Sequence, residues 1–129
     1  MAKTALEITA DQALAYHMSA AVRRRQASMD HQVQGRWHQA QQLAREAAQR
    51  LREEFGARRV VLFGSAAERS LFTPWSDVDL AVWGVAPERF YAAVAAVTGL
   101  STDLRVDLVD AERCSTDLQQ AIEQEGMEL

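Results

Sequence analysis

Five residues in the second half of the chain have the types and order that phosphate and metal chemistry require: Gly64 and Ser65, then Asp77 and Asp79, and later Asp107. Alternate side chains of a strand share a face, so Asp77 and Asp79, which flank Val78, point the same way. An ionised carboxylate in so apolar a run is costly unless a cation accompanies it. If the run carrying Asp107 lies alongside, three anions converge, and proton uptake or a divalent cation relieves the repulsion. Without His or Cys in the cluster the fitting cation is a hard one, Mg²⁺ or alternatively Mn²⁺, bound by carboxylates and substrate phosphate. Gly64 lets the backbone approach a phosphate, and Ser65 adds a hydroxyl and an N–H where a short helix over 66–70 would begin. Gly-Ser alone occurs in many turns, and D-x-D alone in many caps and sheet edges. Their combination in this order carries the reading.

Positioning these residues takes three strands. "RRVVLF" predicts a strand over 58–63 ending at Gly64, "SDVDLAVWG" a second ending at Gly84, and "LRVDLVD" a third over 104–110. Between the second and third, "PERFYAAVAAVTG" opens on a proline and closes on Gly99, as a helix does. Ser115 or Thr116 starts a last helix that runs to about Glu125 and is ended by Gly126. The first half of the chain is rich in alanine and glutamine. Thr9 or Asp11 caps a helix carrying Ala13, Leu14, Met18, Ala21 and Val22, with an end near Ser28. A second helix over 30–55 carries Val33, Trp37, Ala40, Leu43, Ala44, Ala47, Leu51 and Phe55 as an amphipathic stripe, with Gly56 closing it and Gly35 a weak point.

With 129 residues, 48% hydrophobic and 25% charged, the chain fits one soluble globular domain. No apolar run approaches the roughly 20 residues that cross a bilayer, and the first residues lack the pattern of a signal peptide, so a cytoplasmic location is expected and no membrane partner. Net charge of −4 argues against nucleic acid as the main partner. The basic sets Arg23 to Arg25 and Arg45, Arg50, Arg52, Arg58 and Arg59 read as solvated or partner-facing surface. Cys114 is the sole cysteine, which excludes an intrachain disulfide. His17, His31 and His38 lack metal-ligand spacing and read as surface or packing residues. Trp37 belongs to the apolar stripe. Trp75, just before the acids, could stack on a nucleobase, pack under its loop or face a partner.

"VLFGSAAERSLFTPWSDVDLAVWG" followed by "LRVDLVD" resembles the minimal nucleotidyltransferase group of the DNA polymerase β superfamily, and the closing "STDLQQAIEQEGMEL" looks like the tail of its small antitoxin-like members. The resemblance implies an α/β (α+β) fold, a small mixed sheet flanked by helices, as a single domain over 1–129 with an N-terminal helical extension (1–56) and a core (57–129). It implies that Gly64 and Ser65 hold the triphosphate, that Asp77, Asp79 and Asp107 are catalytic and bind two Mg²⁺ ions, and that Asp107 helps deprotonate the attacking hydroxyl. Eleven residues separate Ser65 from Asp77, one more than the commonest spacing, which brings Arg69 to the place of the family's nucleotide-binding arginine. "AAERS" replaces the usual small-Ala-Arg-Gly after the serine. The implied activity is transfer of AMP from ATP to an acceptor hydroxyl, with a tyrosine of a HEPN-type toxin partner as the acceptor. The alternatives are an antitoxin module that neutralises its partner by binding alone, and a nucleotidyltransferase acting on a small molecule.

Overall fold

The computed structural model describes residues 9–129, which form two compact units, one up to Gln34 and one from Gly35 to Leu129. A single helix, α1 (Ala10–Phe55), contributes to both. Its start is a capping box: the Thr9 hydroxyl accepts from the Gln12 N–H (3.2 Å), and the Gln12 side chain accepts from the Thr9 N–H (3.0 Å). The expected break between Ser28 and Asp30 is absent. One glycine costs a helix only about 1 kcal/mol relative to alanine, and Gly35 is flanked on both sides by strong helix formers. The sequence reading of the first residues rests partly on 1–8, which lie outside the described residues. In the first unit Leu14, Met18, Val22 and Met29 are exposed.

The second unit is an α+β core. Its sheet comprises β1 (Arg59–Phe63), β2 (Val78–Trp83), β3 (Val106–Asp110) and β4 (Met127–Glu128), in the order β3-β2-β1-β4. β1 is antiparallel to β2 and to β4, whereas β2 and β3 are parallel and joined through α2 (Pro87–Thr98). α3 (Thr116–Glu125) follows, its Ser115 cap accepting from the Leu118 N–H. The helix expected over 66–70 is two short 3₁₀ turns instead, Gly64–Ala67 and Arg69–Leu71.

Register fixes which residues share each face of the sheet. Val61 lies opposite Ala81, and on that face Ile122 of α3 packs against both, with Phe63, Trp83, Cys114 and Leu118 around them. Cys114 is thus a packing residue. Asp79 and Asp107 belong to this same face, beyond the edge of the α3 cluster. The other face carries Val60, Leu62, Val78, Leu80 and Val82, all buried. With α3 on the first face, the helices of this unit left to cover it are α2 and the later part of α1, whose Leu43, Ala44, Ala47 and Leu51 and whose Ala93 and Val97 are buried as well. Burying so much aliphatic surface, at about 25 cal/mol per Å², gives the sheet a rigid floor on which charged residues can be held together. Among the described residues no helix is long and apolar enough to cross a membrane.

Candidate functional site

The site is built where β1 ends and where β2 and β3 begin. Phe63 pairs with Asp79 across the antiparallel ladder, so the next residue, Gly64, turns beside the Asp79 side chain. Gly64 has φ +70, and a Cβ there would stand 2.7 Å from the Asp79 Oδ2. Only glycine meets both demands, the left-handed backbone and the close approach. Ser65 follows inside the 3₁₀ turn Gly64–Ala67, which is anchored from below by the buried Gln41, whose Nε2 donates to the Ala66 carbonyl at 2.7 Å.

The parallel pair sets Asp79 directly opposite Asp107. Asp77 immediately precedes β2, and the Val78 N–H donates to the Arg105 carbonyl at 2.9 Å, which ties the starts of the two strands together. Two independent segments thus deliver carboxylates to one edge of the core. Asp79 is the residue that registers it: burial, and then the charges of Asp107 and Asp77, push its pKa above the usual carboxylate value, with Arg105 offsetting part of the rise. Arg105, which carried no role in the sequence reading, forms an ion pair with Asp107, Nε to Oδ1 at 2.9 Å.

The structure therefore brings Gly64, Asp79 and Asp107 together, with Ser65 and Asp77 adjoining them in sequence. Arg69 opens the turn Arg69–Leu71, partly buried. Trp75 is 81% exposed at the tip of a turn closed by Thr73 and Ser76, whereas Trp37 packs edge-on against Phe72 with ring centroids 5.5 Å apart. Sequence reasoning also missed Arg36 and Gln41. The signal for Gln41 was a polar residue placed between Ala40 and Leu43, at positions that bury. The five residues are all partly buried, and a cleft of about 400 Å³ between Trp83 and α3 contains none of them.

The family comparison bears on the same stretch. Residues 45–129 match the family "Polymerase beta, Nucleotidyltransferase". The chain belongs to the polymerase β nucleotidyltransferase family. A solved toxin–antitoxin structure with AMP-PNP is similar to this nucleotidyltransferase-family chain with a TM-score of 0.54 and 25% identity, over 66% of this chain and 70% of that one. An MntA–HepT toxin–antitoxin structure aligns with a TM-score of 0.51 and 24% identity over 68% and 69% of the two chains, a likeness of fold. A mutant of such a pair aligns at 0.54 and 27% identity, over 66% and 69%. No relative among curated proteins matches.

Members of this family work with metal ions and nucleoside triphosphate, so the fit of the acids to a metal is a physical question. Among the described residues no three His, Cys, Asp or Glu side chains stand as a ready-made metal cage. A rim of two or three carboxylates, one of them destabilised as an anion by burial and then by the others, suits instead an ion that keeps water and brings its remaining ligands as phosphate oxygens. That is the preference of Mg²⁺.

Proposed function

We propose that this chain transfers AMP from ATP to an acceptor hydroxyl, and that the acceptor is a tyrosine of a HEPN-type toxin for which the chain is the antitoxin. The observation that carries the reading is the approach of Gly64 to the Asp79 carboxylate, because it sets the turn that would receive the phosphates directly beside the acids. In this reading the turn after Gly64 receives the triphosphate through backbone N–H groups and the Ser65 hydroxyl, with Arg69 contributing charge. Asp77, Asp79 and Asp107 would hold Mg²⁺. The ion, when bound, supplies Lewis-acid stabilisation of the charge that builds on the α-phosphoryl group. Asp107 accepts the proton of the attacking hydroxyl, the oxygen displaces pyrophosphate in line, and the toxin tyrosine leaves as its AMP ester. The likeness to toxin–antitoxin structures, one of them with AMP-PNP, supports both the nucleotide and the kind of partner.

The experiment is incubation of the purified chain with α-labelled ATP, Mg²⁺ and the toxin encoded beside it. Label is expected on a toxin tyrosine, and none when Mg²⁺ is chelated. Nucleotide and metal binding without label on the toxin would overturn the acceptor.

A second reading, an antitoxin that neutralises by binding alone, is favoured by one specific contact. Arg105 occupies an oxygen of Asp107 that the chemistry needs. The two readings part on whether the acids are required for neutralisation.

A further inference from the structure

We infer that Arg36 is a positioning residue, a brace that holds the two acid-bearing strands at a fixed separation; the inference rests on the function proposed above. Its guanidinium reaches two carbonyls far apart in sequence. Nη1 donates to Asp103 at 3.2 Å and Nη2 to Ser76 at 3.4 Å. Ser76 immediately precedes Asp77, and Asp103 lies four residues before Asp107. One rigid planar fork therefore spans the segments that lead into β2 and β3. Each segment is itself fixed by a local turn. The Thr73 N–H donates to the Ser76 hydroxyl at 2.9 Å, and the Asp103 and Leu104 N–H groups donate to the Ser101 hydroxyl, both at 3.1 Å. Arg36 locks two rigid pieces rather than two loose ones.

Two further observations separate this from ordinary packing. The Nε of Arg36 is buried without a hydrogen-bond partner among the described residues, an arrangement that costs stability and that an apolar side chain would avoid. The cost is intelligible if the fork geometry is what the position requires. Gln41, little more than one helical turn further along α1, anchors the Ala66 carbonyl, so the same stretch of helix also fixes the turn that follows Gly64. Carboxylates at the starts of neighbouring strands repel each other, and a metal binds them best when that separation is already set. Both braces lie before residue 45, upstream of the segment that matches the family.

The test compares the full chain with Arg36→Gln, Arg36→Lys and a core control, Val97→Ala, in Mg²⁺-dependent binding of AMP-PNP and in hydrogen exchange. Arg36→Gln is expected to raise the Mg²⁺ concentration for half-maximal binding about 10-fold, in the range known for outer partners of metal ligands. Arg36→Lys should recover part of this, and Val97→Ala should leave it unchanged. Exchange should quicken around both 77–79 and 105–107 in Arg36→Gln. The brace is overturned if Arg36→Gln and Val97→Ala share one Mg²⁺ requirement, or if exchange quickens at one strand alone or at neither. If Arg36→Gln does not fold, Arg36→Lys decides by the same two readouts. A wild-type chain that shows no Mg²⁺-dependent nucleotide binding overturns the proposed function, and the exchange experiment still decides for or against the brace.

Discussion

At the scale of single residues, Gly64 and Asp79 form one unit. A methyl group on Gly64 would meet the Asp79 Oδ2 at 2.7 Å on a backbone at φ +70. Gly64→Ala should therefore lower stability by about 1–3 kcal/mol and also displace the carboxylate. Denaturant unfolding and AMP-PNP titration should both register it, with binding lost beyond what the stability change explains. Asp79 makes a pH prediction with a definite sign. Its pKa in the folded chain stands above the ordinary value of 3.8, so between the two values the folded state holds a proton that the unfolded chain has released. This contribution to stability is fully present below the ordinary value. It is lost as pH rises through the raised one. Asp79→Asn should flatten that part of the metal-free unfolding profile, raise stability near neutral pH and reduce label transfer at least about 100-fold. A profile unchanged by the substitution would remove Asp79 from the acid cluster. The types and spacing of Asp77, Asp79 and Asp107 were legible in the sequence because strand periodicity is local. The Arg105 to Asp107 ion pair and the Arg36 fork were not, because they depend on how the segments meet in space.

At the scale of elements, β1, β2, α2 and α3 could be read closely, since their ends carry local signals: Gly64, Gly84, the Pro87 start and the Ser115 cap. The sheet's neighbour relations were only conditional in the sequence, and the β2 to β3 pairing satisfies the condition on which the acids converge. Three features escaped: the 3₁₀ form of the two turns after β1, the continuity of α1, and β4. The continuity of α1 depends on many small propensities outweighing Gly35, and no single residue announces it. β4 is two residues long, too short for any periodicity, and exists because Gly126 lets the chain pass close to Val61. A Cβ on Gly126 would fall inside van der Waals contact with the Val61 Cγ1 and the Ile122 carbonyl. Gly126→Ala should thus cost about 1–3 kcal/mol by overpacking. Hydrogen exchange should show the Leu129 N–H, which donates to Val60, losing protection first. Equal loss across the sheet would mean that β4 is not a separable edge.

For the whole molecule, the charge concentrated at one edge of a small core would couple binding of the proposed ligands to stability. If the proposed function holds, Mg²⁺ and nucleotide would relieve the repulsion around Asp79 only in the folded state, so by mass action a ligand at 100 times its Kd would add about 2.7 kcal/mol. For a core of this size that corresponds to a rise in Tm of roughly 10 °C or more, with Mg²⁺ and AMP-PNP each giving less alone. The same coupling separates the two ways the protein could restrain a toxin. Neutralisation by binding needs only the folded surface, and removing carboxylate repulsion does not weaken a fold. The double variant Asp77→Asn with Asp79→Asn should keep the complex and be at least as stable as wild type without metal. If AMP transfer is the function, this variant should fail to protect cells that express the toxin, although the two proteins still co-purify. Protection equal to wild type would assign neutralisation to binding, and would make the pairing of Arg105 with Asp107 the resting state of an idle site.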